Sequence, residues 1–231
     1  MNDLKENSFQ HRIEKEEVNK MPLTAFEGEV IVVRTKMGLW KAMRYLNKQT
    51  CVGVDTETRP AFEHGQHFPT ALVQIATLEK CFLFQLRHIG FPKMLADFFA
   101  NPGICKVGLA FRDDLTGLKR LRYFEPHNCL DVQKMVVKYG ILDLGLQKIF
   151  AIIFGKKISK SQQLTNWDIP TLTAEQARYA STDAWATLMI YKELLNTQML
   201  PTDQVEALCQ ADKQRLIEHQ QQVLAQRNGE N

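Results

Sequence analysis

Three strand-like runs follow one another without a helix between them, and this succession restricts the architecture more than any other feature of the chain. Cys51 to Glu57, Ala71 to Thr77 and Cys81 to Gln85 are rich in β-branched and aromatic residues, and the Leu78-Glu79-Lys80 turn makes the last two a hairpin. Strands joined this closely pair antiparallel. The pattern then changes to alternation: helix at Pro92 to Ala100, strand at Ile104 to Ala110, helix at Asp113 to Leu121, a short strand near Asn128 to Leu130, and helix at Val132 to Tyr139. Strands separated by helices pair in parallel through crossovers. Ahead of both lies the β-branched run Glu29 to Arg34, followed by Leu39, Ala42, Met43 and Leu46 at helical spacing. The expected class is α/β, a mixed β-sheet flanked on both faces by α-helices.

The rest of the chain is mainly helical. Leu144 to Phe154 and Thr173 to Leu195 carry helical patterns, the second opening with Thr173 and Gln176 at capping-box spacing, and the basic stretch 155–160 forms a loop between them. A length of 231 residues with 45% hydrophobic content suits one domain, placed at 28–200. Residues 1–27 are polar and are expected to form a flexible N-terminal arm with a short helix around Ile13 to Asn19. Residues 201–231, with apolar positions at only partly helical spacing, are expected to form a peripheral helix or tail. No apolar run is long enough to cross a bilayer, and the start lacks the basic-then-apolar pattern of a secretory signal, so a cytoplasmic location and no membrane partner are expected. The five cysteines show no C-x-x-C spacing and read as reduced thiols. A formal charge of +3 decides nothing about partners, since an acidic site would hide a basic groove in the total.

The chemistry begins at Val52-Gly53-Val54-Asp55-Thr56-Glu57. An apolar strand ends in two carboxylates at i and i+2, which share one face of a strand and repel each other unless a cation lies between them. Tyr179 and Asp183 stand one turn apart on one helical face. Asp114 follows the strand Val107 to Phe111, where the end of a parallel strand opens into a crevice. Carboxylates from several elements converging on one point are what a pair of divalent ions about 3.5–4 Å apart requires for phosphodiester hydrolysis. An all-oxygen set favours Mg2+ or Mn2+ over zinc. Other readings exist for each piece: an acidic turn for Asp55 and Glu57, a packed tyrosine beside a solvated acid for Tyr179 and Asp183, and a helix cap for Asp131. Trp167 and Phe68 suit core or loop packing better than base stacking. Lys156, Lys157 and Lys160 suit a phosphate track and a solvated loop equally.

Taken together, Asp55-Thr56-Glu57, the segment Lys106 to Asp114, and Tyr179-x-x-x-Asp183 with its approach from Lys160 resemble the three motifs of the DEDDy branch of DnaQ-like 3′–5′ exonucleases, near ribonuclease D and the Werner helicase exonuclease domain. The resemblance covers about residues 30–195. It implies a ribonuclease H-like fold and a two-metal exonuclease that releases nucleoside 5′-monophosphates from the 3′ end of a single strand of RNA or DNA. By position it assigns Asp55, Glu57 and Asp183 to one ion, with Asp55 reaching a second ion that Asp114 supports. Asp114 fits the family spacing better than its neighbour Asp113. Tyr179 would orient the attacking water, and Thr56, Arg112 and Lys160 are the candidate substrate contacts. The rival of a different class is a module on the same fold that binds nucleic acid or protein without cutting. A helical domain such as ribonuclease D carries after its nuclease domain is not expected in the short stretch beyond Pro201, which argues against tRNA processing and leaves a DNA-repair role open.

Overall fold

The computed structural model describes residues 4–61, 63 and 65–229. After a short helix α1 (Lys15–Lys20), the chain enters strand β1 (Glu29–Val33), helix α2 (Lys36–Leu46), and the run β2 (Cys51–Thr58), β3 (Thr70–Ala76) and β4 (Lys80–Gln85). Helices α3 (Leu86–Ile89) and α4 (Lys93–Ala100) lead to β5 (Cys105–Gly108), α5 (Phe111–Leu121), β6 (Cys129–Asp131) and α6 (Val132–Val136). The last three helices are α7 (Leu146–Phe154), α8 (Ala174–Leu195) and α9 (Thr202–Gly229).

The six strands form one sheet in the order β1-β4-β3-β2-β5-β6. β2, β3 and β4 pair antiparallel, whereas β5 joins β2 and β6 joins β5 in parallel, so β2 stands where the two pairing modes meet. β1 adds a parallel strand outside β4. This is the mixed sheet that the hairpin run and the later alternation predict.

Period-two alternation sends successive side chains of β2 to opposite faces. Val52 and Val54 enter an apolar layer with α2, α4 and α5, built around Met43, Leu46, Phe98, Phe99 and Phe111. The odd positions, Gly53, Asp55 and Glu57, face α8. In the antiparallel register Asp55 lies opposite Gln74 of β3, and Glu57 lies opposite Leu72. Gly53 lets α8 cross directly over β2: a Cβ at this position would stand 2.0 Å from the Ala184 carbonyl oxygen. A side chain there would lift the helix off the strand, and with it Asp183, the neighbour of Ala184. The capping box expected at the start of α8 is formed, with the Thr173 hydroxyl accepting from Gln176 N and Gln176 Oε1 accepting from Thr173 N, 3.1 Å each.

Residues 4–27 correct the expectation of a flexible arm. Lys5 exchanges backbone hydrogen bonds with Asn196 and Gln198, and Leu23 bridges to Lys157. Ile13 and Val18 are buried beside Ala151 of α7, and Phe26 is buried beneath α8. Ile13 and Val18 share one apolar patch on α7 while Phe26 sits in another, and the short helix expected around Ile13 to Asn19 forms as α1. Arg12 lies between Asp143 and Asp212 and holds both oxygens of the Asp212 carboxylate, which ties the N-terminal strap to α9. No described helix is long and apolar enough to cross a membrane.

Candidate active site

β2 and α8 together build a cleft of about 330 Å³ lined by Asp55, Thr56, Glu57, Tyr179 and Asp183. One carboxylate oxygen from each of Asp55, Glu57 and Asp183 lies within 4.8 Å of the other two. Asp183 is buried, and the two β2 acids are partly open to the cleft. Among the described residues none of the three forms an ion pair.

Burial with so little compensation shifts every acid upward. Asp55 lies well above the usual carboxylate range, through desolvation first and then the charges of Asp183, Asp114 and Glu57. Glu57 is pushed to about 9 by desolvation and by the charges of Asp183 and Asp114. Asp183 rises to about 7 by burial, against the lowering effect of a hydrogen bond from Tyr179 and the charge of Lys160. Three carboxylates that cannot all ionise alone, spaced so that one small cation could touch all three, make a donor set suited to a hard divalent ion. Mg2+ and Mn2+ fit it, and the oxygen-only chemistry is unsuited to a soft metal.

The fourth acid takes a different place. Asp114, in the first turn of α5, accepts a hydrogen bond from the Thr56 hydroxyl and faces a second groove with Thr58, His67, Asp113 and Arg120. Thr56 lines both cavities and forms the wall between them. The charge of Asp114 still acts on Asp55 and Glu57. Its own carboxyl rises to about 6 by burial, although the Thr56 hydrogen bond pulls it down. Asp113 is exposed in the second groove, outside the three-acid cluster.

Tyr179 is 8% exposed, and its ring lies 5.9 Å from that of Trp167. Burial first, then the charges of Asp183 and Glu57, drive its phenol far above its ordinary value. Trp167 itself is core, as its packing reading has it. Of the three loop lysines only Lys160 lines the cleft. Lys157 donates to the Asn19 carbonyl, and Lys156 borders an apolar groove with Phe26 and Phe150.

Arg112 corrects an expectation. It is exposed in a separate groove with Lys119, Asp131 and Lys134, away from the acids. Two positions along a helix are about 200° apart around its axis, so a turn that aims Asp114 toward β2 aims Arg112 away. Asp131 caps α6: its Oδ1 accepts from Gln133 N and Ala110 N, 3.0 Å each. Ala110 takes the left-handed conformation, φ 53°, at the turn from β5 into α5.

Sequence reasoning missed the neutral polar side chains of the cleft, Gln133, Gln147 and Gln163. Gln133 had a usable signal, its place just after a helix-capping Asp at the end of a parallel strand. Gln163, within an irregular loop, had none.

Several known proteins share this arrangement of chain. The mouse bifunctional 3′–5′ exonuclease/ATP-dependent helicase WRN is 31% identical over 181 residues, 74% of this chain and 13% of that protein. The putative 3′–5′ exonuclease R431 of Acanthamoeba polyphaga mimivirus is 28% identical, over 64% of this chain and 40% of its own length. The chain thus spans well under two-thirds of these curated relatives. Among solved structures, the Aedes aegypti Nibbler EXO domain superposes with a TM-score of 0.68 at 22% identity, covering 80% of this chain and 99% of that one. Escherichia coli RNase D gives 0.64 at 22% identity, over 85% and 51%. These likenesses establish a ribonuclease H-like fold. A family model described as 3′–5′ exonuclease matches residues 30–198, the stretch that runs from β1 past α8 and holds all five expected site residues, and the chain therefore belongs to the DnaQ-like 3′–5′ exonuclease family.

Proposed function

We propose that this chain is a catalytically competent DEDDy-type exonuclease, hydrolysing single-stranded nucleic acid from the 3′ end to nucleoside 5′-monophosphates. The observation that carries the reading is the meeting of Asp55, Glu57 and Asp183 within 4.8 Å, without an ion pair to offset them, in a cleft that Tyr179 also lines. Asp55, Glu57 and Asp183 would hold one Mg2+ or Mn2+, and Asp114, beyond Thr56, would support a second. When bound, such ions place positive charge at the scissile phosphate and make an attacking water more acidic.

The chain's own groups do the rest. An ordinary phenol already keeps its proton near neutral pH, and Tyr179, its pKa raised further by burial, does the same. It therefore acts as a hydrogen-bonding group that orients water and is a poor general base. Lys160 brings a positive charge to the acidic cleft, where it offsets Asp183 and attracts the phosphate of an incoming strand. Thr56 keeps Asp114 oriented through its hydroxyl.

The test uses matched RNA and DNA single strands, labelled and blocked at either end, with Mg2+, Mn2+ or EDTA. Mononucleotides released from a free 3′ end, lost in EDTA and in Asp55→Asn, support the proposal, and the two strands report the sugar preference. A protein that binds either strand and never cuts it points to the non-catalytic module.

A further inference from the structure

Gln74, on β3, is fully buried, and neither its Nε2 nor its Oε1 meets a hydrogen-bond partner. A buried amide left unpaired at both ends is an exception in a folded protein and calls for a reason. Its address supplies one. Gln74 is the cross-strand partner of Asp55, and directly opposed side chains leave a sheet on the same face.

The other neighbours offer an amide little. Across β3 and β4 Gln74 faces Leu83, which in turn faces Val32 of β1. Along β3 the same face carries Leu72 and Ala76; the layer also includes Ala180 and Ala184 of α8, Cys81, whose thiol is at best a weak partner, and, outside the row that crosses the sheet at Gln74, Trp167 and Tyr179. Asp55 is thus the one strong acceptor beside Gln74 in the row that crosses the sheet. Leucine or methionine would fill the same space with no unpaired dipole, so the folded chain alone gives no reason for an amide here.

We infer that Gln74 is a positioning residue for Asp55. Its Nε2–H donates to the Asp55 carboxylate when a divalent cation engages the acid cluster, fixing which oxygen faces the ion. A ligating carboxylate keeps lone pairs free for such a donor, and partners of this kind set both orientation and affinity. The inference rests on the cation reading proposed above and adds to it a residue from the strand behind the site.

The experiment measures Mn2+ binding by isothermal titration calorimetry, and thermal unfolding in EDTA, for the full chain and for Gln74→Leu and Gln74→Met. Loss of the amide is expected to weaken Mn2+ about tenfold or more, while Tm without cation stays the same or rises. In strand hydrolysis, the Mn2+ concentration for half-maximal rate shifts upward by the same factor and the rate at saturating Mn2+ recovers. Unchanged Mn2+ affinity in either folded variant overturns the inference, as does a lower Tm in EDTA with affinity intact, which marks a purely structural amide. The methionine variant keeps the question answerable if the leucine variant does not fold. If the unaltered chain binds no Mn2+, the cation reading itself falls and takes this inference with it.

Discussion

On the side of β2 turned toward α2 and α4, Val52 and Val54 are wholly buried among leucines, phenylalanines and a methionine, and every neighbour favours the same packed state. On the side turned toward α8, three residues further along the same strand, Asp55 and Glu57 crowd a third carboxylate and are held away from their ordinary ionisation. One face stabilises the fold and the other opposes it. The contrast teaches that stability and chemistry are divided here by the two-residue period of a single strand, so substitutions one position apart should have opposite signatures.

The largest expected effect comes from the acidic face. Asp55→Asn and Asp183→Asn should each lower the rate of mononucleotide release by about a thousandfold or more, equivalent to about 4 kcal/mol of barrier. Their Tm in EDTA should stay level or rise, because a repelling charge is gone. A variant that loses activity and stability together would erase the distinction between the faces.

Next in size is a pH effect. Asp55, Glu57, Asp183 and Asp114 all have folded values above the unfolded carboxylate range, so the folded state binds more protons than the unfolded one between the two. Their stabilising contribution is complete below the unfolded values near 4, and it is lost as pH rises through about 6, 7 and 9, the folded values of Asp114, Asp183 and Glu57. In EDTA, Tm should therefore fall across that window, and saturating Mn2+ should flatten the fall. A flat profile in EDTA would mean that the acids are better solvated than their setting implies.

Gly53→Ala tests the joint between the faces. A Cβ 2.0 Å from the Ala184 carbonyl oxygen forces α8 outward, with a stability loss of about 3 kcal/mol and weaker Mn2+ binding as Asp183 moves with the helix. Denaturant unfolding and calorimetry read the two consequences separately. Val54→Ala, on the apolar face, should cost about 2 kcal/mol while the folded variant, assayed well below its Tm, keeps nearly full activity. Smallest is Asp131→Ala, which removes the cap of α6 at about 1 kcal/mol by denaturant unfolding.

The sequence made the sheet legible because its strands are strongly patterned and the switch from hairpin to alternation fixes the pairing modes. It also showed α8 down to its capping box, since Thr173 and Gln176 carry that signal locally. The short helix of the N-terminal strap was legible and its docking was not: Phe26 and Ile13 are held by surfaces formed far along the chain, and no local period records that. At the site, Asp55, Glu57, Asp183 and Tyr179 could be placed because strand and helix periods give direction. Arg112 was misplaced because adjacency in sequence to Asp114 says little about direction on a helix. Gln74 was invisible, since its interest lies in a register between two strands and in the absence of a partner.

The carboxylate of Asp131 carries a mechanical consequence. A single oxygen, Oδ1, receives the amides of both Ala110 and Gln133, so the turns leaving β5 and β6 are pinned at one point. The helix that bears Asp114 and the one that brings Gln133 to the opening are thereby yoked. The turn ahead of the second groove and the turn ahead of the three-acid cleft therefore share one anchor, and removing that oxygen frees both at once.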